Sequence, residues 1–375
     1  MKYYIIAGEP SGDLHGSNLM RGILDADPTA EFRFCGGDKM AEVGGSSNLL
    51  MHYRDMSFFG IWQVLKNLRT IFSQIDQCKA DIVQFSPDVI ILIDYPSFNM
   101  RIAKWAFKRN IKVYYYIAPK VWAWKEWRVK SIRRYVSRLY AIFPFEVEYF
   151  RSKGIDAHYF GNPLTDSIAA KTDNMPDAAT FRKKHNLDNR PIVALLAGSR
   201  RSEISLNLPN MVALSRLFPA YQFVVTGVNW IDRSLYDSII ADSDVKYLCD
   251  ATYETLSVST AAIVTSGTAT LETAMFGIPE MVVYRTAWLY EKLKPYVLKI
   301  PYISLVNINL NYECVREIVT AKFDIEAAAN ELQAILPNGT RREKMIEQFA
   351  HLRQMMGEKG TSRRVGNDIV KSLKQ

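Results

Sequence analysis

Twice along this chain, short runs of β-branched and aromatic residues alternate with longer amphipathic stretches, and a polar, turn-rich segment separates the two series. That alternation constrains the fold most, because strand–helix–strand succession builds a parallel sheet with helices on its faces. In the first series the strand candidates are Tyr3 to Ala7, Glu31 to Cys35, Val89 to Ile93, Lys112 to Ile117 and Arg138 to Ile142. In the second they are Ile192 to Leu196, Gln222 to Thr226, Ala261 to Thr265 and Met281 to Tyr284. Between them, residues 166–190 contain Lys171-Thr172-Asp173-Asn174-Met175-Pro176-Asp177, which has the composition of a domain boundary. A chain of 375 residues has room for two such lobes. The expectation is an α/β protein with Rossmann-like lobes at 1–170 and 190–340, a ligand cleft between them, and a helical segment, 341–375, packing across both.

Composition narrows the function classes. No apolar run approaches the roughly 18–20 residues that span a bilayer, and the first strand candidate begins without a signal-peptide pattern before it, so a cytoplasmic protein is expected. Cys35, Cys78, Cys249 and Cys314 are scattered without a CxxC pair, and the histidines never fall at i, i+4 spacing. Neither a disulfide framework nor a metal site is called for. The net charge of +8 suits nucleic acid, anionic lipid or phosphorylated small molecules, or is only a solvated basic surface. No zinc-finger spacing or RNA-binding aromatic motif is present, so nucleic acid is not expected.

Several strand-to-helix turns carry chemistry. In Ala7-Gly8-Glu9-Pro10-Ser11-Gly12-Asp13 a strand meets a glycine-bearing loop, with a helix expected to start near Asp13. Glycines let backbone approach a ligand, and Glu9 and Asp13 make the loop acidic, which favours sugar hydroxyls over phosphate. Glu9, Ser11 and Asp13 are therefore candidates for acceptor or sugar binding, although Asp13 could simply cap the helix. Asp94 follows an apolar strand at the edge where open α/β sheets place ligands, and its carboxylate can take a proton from a hydroxyl nucleophile or simply cap the helix that follows. Asn99 joins the sugar-binding candidates, and the helix there is expected to begin near it. The run Tyr114 to Trp124 is a strand followed by an aromatic loop. In the second series, Gly198-Ser199-Arg200-Arg201 offers arginines and backbone N–H groups to a diphosphate. Ser266-Gly267-Thr268 opens another helix, with Glu272 about one turn inside, where it could take a ribose diol or face solvent.

Residues 56–72 read as an amphipathic helix with its preceding loop. Ile61, Leu65, Leu68 and Phe72 form one stripe, the usual sign of burial. Phe58, Phe59, Trp62 and Val64 exceed what one stripe needs, and Lys66 and Arg69 lie among them, which suits an anionic membrane surface.

The motifs AGEPSGDLHG, GGDKM, FFGIWQVL, IDYPSFN, YYYIAPKVWAW, IFPFEVEYF, GNPL, LLAGSRRSEI and SGTATLE occur in that order, and together they resemble the lipid-A-disaccharide synthase family over nearly the whole chain. The resemblance implies a GT-B fold and an inverting, metal-independent transfer without a cofactor. The donor would be UDP-2,3-diacylglucosamine and the acceptor 2,3-diacylglucosamine 1-phosphate, giving a β-1,6-linked disaccharide and UDP at the cytoplasmic face of the inner membrane. Asp94 would be the base; Ser199, Arg200, Ser266, Gly267, Thr268 and Glu272 would hold UDP, with Asn307 and Glu313 matching a further family stretch. A homodimer is compatible with the resemblance. The chain departs from the pattern at Ala197, where proline is usual, and at Asn311-Tyr312, where the family has Gly-Arg, so that Arg316 or Arg285 would have to replace that arginine. Asn162 stands where some members have histidine. A UDP-sugar epimerase on the same fold and a membrane-docked nucleotide-sugar sensor are the competing readings.

Overall fold

The computed structural model describes residues 1–56, 67–122, 127–172, 175–285 and 301–375. They form two units, Met1–Asp166 together with Gly357–Gln375, and Ser167–Met356. The C-terminal stretch expected as one crossing segment is thus divided: the helix Arg342–Met356 belongs to the second unit and the helix Thr361–Lys374 to the first.

The first unit holds seven parallel strands in the order β3-β2-β1-β4-β5-β6-β7. They are β1 (Lys2–Ala7), β2 (Glu31–Gly36), β3 (Leu49–His52), β4 (Val89–Ile93), β5 (Lys112–Tyr116), β6 (Arg138–Ala141) and β7 (Ala157–Tyr159). Why the central strands are apolar throughout is clear from β1, whose side chains alternate between two cores. Tyr4 and Ile6 pack with Ile90, Leu92 and Tyr115 beneath the helices Leu68–Phe85 and Pro96–Phe107. Tyr3, Ile5 and Ala7 pack with Val89, Ile91 and Tyr116, and with Val365 and Ile369 of the C-terminal helix. A strand covered on both faces has no polar side to show. Tyrosines tolerate this burial where a partner takes the hydroxyl: Tyr3 donates to Asp27 at 3.1 Å and Tyr4 to Asp81 at 2.9 Å.

The second unit repeats the plan with β8 (Ile192–Leu196), β9 (Gln222–Gly227), β10 (Lys246–Cys249), β11 (Ser259–Val264), β12 (Glu280–Arg285) and β13 (Glu317–Thr320). Their order is β10-β9-β8-β11-β12-β13, again parallel.

Some boundaries differ from expectation. The first helix starts at Pro10, not near Asp13, and the helix after β4 starts at Pro96, not near Asn99. Proline, with φ already fixed, fits the first turn of a helix, and this is the stronger start signal in both cases. β5 ends at Tyr116 because Ile117 adopts φ +61°. Leu68 and Phe72, expected in a buried stripe, are 40% and 46% exposed. Phe58, Phe59, Trp62 and Lys66, expected to face a membrane, lie outside the described residues, as do Ile61, Val64 and Leu65. Among the described residues no helix is long and apolar enough to cross a membrane.

Candidate active site

Strand order locates the first cluster. In the first unit the chain runs outward from β1 in both directions, so the turns after β1 and β4 diverge and leave a crevice at their carboxyl ends. Gly8-Glu9 and Asp94-Tyr95 occupy these turns. A Cβ on Gly8 would stand 2.4 Å from the Tyr95 ring, so only glycine lets the two turns close on each other.

Asp94 and Tyr95 both have positive φ, 44° and 45°. Each such non-glycine residue costs roughly 1–2 kcal/mol, and strain of this kind persists only where the surroundings hold it. Here they do. The Asp94 carbonyl accepts from the Tyr115 hydroxyl at 2.6 Å and from Asn99 Nδ2 at 2.7 Å, while the Asp94 N–H donates to the Tyr116 carbonyl at 3.3 Å. The Asp94 carboxyl is left free of the clamp. Burial raises its pKa, and the Lys120 charge and the Tyr95 N–H pull it back down. Lys120 also faces Glu146, a fully buried carboxyl that burial pushes up to about 7. Glu146 accepts from Trp122 Nε1 at 2.9 Å and from the N–H groups of Ile142 and Phe143, which pins the loop after β5.

Two residues expected to meet a sugar have other work. Asp13 is 3% exposed, and its carboxylate accepts from the N–H groups of Gly37, Lys39 and Met40 at 2.8–3.1 Å. It caps the helix Asp38–Gly44 rather than facing a ligand. Asn99 is fully buried and its amide N–H groups donate to the Ile93 and Asp94 carbonyls, so it positions Asp94 rather than opening to a ligand at the surface. Ser11 is exposed and Glu9 partly so.

The second unit has its own divergence, between β8 and β11. The turn after β8 carries Ser199 and Arg200, and the turn after β11 carries Ser266, Gly267 and Thr268; the Thr265 N–H reaches the Leu196 carbonyl at 2.8 Å. Gly267 and Thr268 are exposed at the start of the helix Thr268–Met275, which no side chain caps. Its N–H groups suit an anion. The Ser266 hydroxyl is already committed to the Ile303 carbonyl at 2.9 Å, which leaves its backbone for a ligand. At the other turn, Glu203 accepts from the N–H groups of Ser199 and Arg200 and pairs with the Arg200 guanidinium at 2.8 Å. A carboxylate of the protein's own therefore occupies that helix start.

Beside these turns is a pocket of about 520 Å³ lined by Lys171, Trp230, Asp250, Tyr253 and Glu272. Trp230 is 64% exposed, and its indole donates to the Ser199 carbonyl at 3.0 Å, tying the pocket to the arginine turn. Burial raises the pKa of Glu272, opposed by a hydrogen bond from Tyr253 at 2.8 Å and by the Lys171 charge. Lys171 Nζ lies 4.6 Å from the Tyr253 ring centroid. Trp230, Tyr253 and Lys171 were not singled out from sequence; an aromatic shortly after the end of a central strand was the available signal for Trp230. Among the described residues no group of three or more His, Cys, Asp or Glu side chains is arranged to hold a metal ion.

The model of the family described as lipid-A-disaccharide synthetase matches residues 3–366. The chain belongs to the lipid-A-disaccharide synthase family. The lipid-A-disaccharide synthase of Syntrophus aciditrophicus is 34% identical over 367 residues, covering 96% of this chain and 94% of that one. That of Myxococcus xanthus is 34% identical over 377 residues, with 98% and 97% covered. Among solved structures, UDP-GlcNAc 2-epimerase from Neisseria meningitidis bound to UDP-GlcNAc aligns with TM-score 0.64 at 14% identity, covering 99% of this chain and 100% of that one. An S. aureus MnaA–UDP co-structure aligns with TM-score 0.65 at 13% identity, covering 100% and 97%. At such identities the likeness is one of fold, and it shows two Rossmann-like lobes of GT-B type. Membership of the lipid-A-disaccharide synthase family makes the chain a UDP-sugar glycosyltransferase of lipid A synthesis, and the epimerase and sensor readings are not favoured.

The family's third nucleotide stretch needs correction here. Asn307 is fully buried; its amide serves the Cys314 and Val315 N–H groups, the Val315 carbonyl and Glu317, leaving nothing for UDP. Glu313 is exposed and pairs with Arg316 at 3.2 Å, so each neutralises the other. Asn311 ends the helix Leu305–Leu310 at φ +59°. After glycine, asparagine is the residue most at ease in that conformation, which explains how it replaces the family's glycine.

Proposed function

We propose that this chain condenses UDP-2,3-diacylglucosamine with 2,3-diacylglucosamine 1-phosphate to the β-1,6-linked disaccharide 1-phosphate and UDP. The observation that carries this reading is Asp94, a half-buried carboxyl of raised pKa held on a strained turn at the sheet's divergence point. In one displacement the acceptor 6-hydroxyl attacks the sugar C1 from the face opposite the diphosphate. The C1–O6 bond forms as the bond to UDP breaks, inverting the configuration from α to β, and Asp94 takes the hydroxyl proton. The second unit is assigned the nucleotide: Glu272 the ribose, Trp230 and Tyr253 the base, and Ser199, Arg200 and the Ser266–Thr268 turn the diphosphate. Charge developing on the leaving group meets Arg200 and backbone N–H donors. The lipid substrates assign the work to the cytoplasmic face of the inner membrane, with Arg69, exposed beside Leu68 and Phe72, turned to its anionic surface. One copy of the chain carries the whole reaction, and a homodimer would repeat it. Release of UDP should require both lipids together. Release from the donor alone, or none with both present, would sink the reading.

Two expected results test its parts. Arg200→Ala removes a charged hydrogen-bond partner, so UDP affinity by calorimetry should fall roughly 10- to 100-fold. Equal titration into both proteins would show that the turn after β8 does not hold the diphosphate. Lys120→Met removes a charge that favours the Asp94 carboxylate. A base acts only when deprotonated, so activity is lost as pH falls through its pKa, and the acid limb of kcat/KM should move to higher pH in this variant. An unmoved limb would remove Lys120 from the site.

A further inference from the structure

A pocket of about 370 Å³ opens beside the start of the helix that follows Asp94, and no step above uses it. Pro96 and Ser97 form one wall, two and three residues after Asp94; Arg101, Lys104, Arg128 and Trp127 line it too, with Met100, Ser131 and Tyr135. Three cations of the described residues line it together. Other half-buried arginines of this unit are held by acceptors, Arg33 by Asp81 at 2.7 Å, Arg138 by Asp368 at 3.0 Å and Arg364 by backbone carbonyls, whereas Arg128 is half-buried and Arg101 and Lys104 are exposed. Among the described residues, Arg101, Lys104 and Arg128 have no carboxylate partner, and no acidic side chain lines the pocket. Aromatic faces hold two of the three: the Arg101 guanidinium lies 4.9 Å from the Phe72 ring centroid and that of Arg128 lies 5.5 Å from Trp127. Helix 96–107 enters the pocket with its first turn, where its N-cap, Tyr95, makes no side-chain bond to the free N–H groups.

Converging cations and N–H donors without an acid are the recognition chemistry of a phosphate, and a phosphomonoester carries close to two negative charges at neutral pH. The rim has a different character. Phe72 and Trp127 are 46% and 67% exposed, so apolar matter has a surface to lie on next to the charge. We propose that this pocket seats the phosphomonoester of the lipid acceptor, with its acyl chains leaving over Phe72 and Trp127. The assignment rests on the reading under Proposed function. In that reading the first unit holds the acceptor, since Asp94 takes its proton, and the donor's diphosphate is held in the second.

The test compares wild type with the double variant Arg101→Gln/Lys104→Gln in neutral mixed micelles, using the acceptor lipid and its analogue without the 1-phosphate. The KM for the phosphorylated acceptor should rise roughly 10- to 100-fold, with kcat and donor KM held and the KM for the analogue unchanged. Equal effects on both acceptors, or on neither, would overturn the proposal. A normal micelle KM combined with lost sedimentation on anionic vesicles would also overturn it, by giving the cations to bilayer headgroups. Calorimetry with a short-chain acylglucosamine 1-phosphate separates this pocket from the wider reading. If wild type binds that probe and the double variant does not, the pocket stands even should no disaccharide form. Circular dichroism checks that both proteins are folded, and Arg128→Gln gives a second variant with the same expected direction.

Discussion

Asp94→Asn is expected to lower turnover by roughly 10²- to 10⁴-fold, the usual contribution of a positioned general base. Asparagine is the informative replacement because Asp94 sits at φ +44°, a conformation in which Asn is nearly as comfortable as Asp. The clamp from Tyr115 and Asn99 grips the backbone carbonyl and survives the change. Alanine would mix lost chemistry with backbone strain. UDP binding, assigned to the second unit, should be unchanged by calorimetry. Near-normal turnover in this variant would leave Asp94 without its assigned role.

Gly366→Leu should destabilise the first unit by about 3 kcal/mol, at the upper end of overpacking costs. The C-terminal helix crosses helix 10–26 with glycine on both sides. A Cβ at Gly366 would stand 2.5 Å from the Gly22 carbonyl carbon and 2.7 Å from the Ile23 nitrogen, and one at Gly22 would stand 2.6 Å from the Ser362 carbonyl oxygen. Backbone cannot turn aside as a flexible side chain can, so the helices must part. That would uncover Val365 and Ile369, which pack on the same side of the sheet as Ile5 and Ile91. Denaturant unfolding measures the loss. Unchanged stability would mean that the last helix contributes little to the first unit.

Every strand named from the sequence is present, with ends moved by a residue or two, and the unread ones share a cause. β3, β7, β10 and β13 are the four sheet edges, each three or four residues long. An edge strand has one neighbour and one partly wet face, so its residues need not be apolar. In Lys246-Tyr247-Leu248-Cys249 only Leu248 is buried. The central strands, covered on both sides, announce themselves as unbroken apolar runs.

The candidate site was legible to the same degree. Asp94 could be named because it follows Val89–Ile93, and a residue after a central parallel strand reaches the ligand edge whatever the details. The direction of a side chain is not written in a motif. Asp13 turns inward to cap a neighbouring helix, and Asn307 turns inward to close its own loop, because each finds backbone N–H groups, those of Gly37 and of Cys314, that lie outside its motif. Trp230, Tyr253 and Lys171 come from three separate stretches and meet only through the sheet, so no local spacing links them.

The most direct measurement is of the product itself. Purified chain incubated with UDP-2,3-diacylglucosamine and 2,3-diacylglucosamine 1-phosphate should yield a disaccharide 1-phosphate by mass spectrometry, with one UDP released for each disaccharide. Proton coupling at the new anomeric centre should show a β linkage to O6. A UDP-sugar recovered with altered stereochemistry and no disaccharide would contradict the transferase reading, and an α linkage would contradict the single displacement assigned to Asp94.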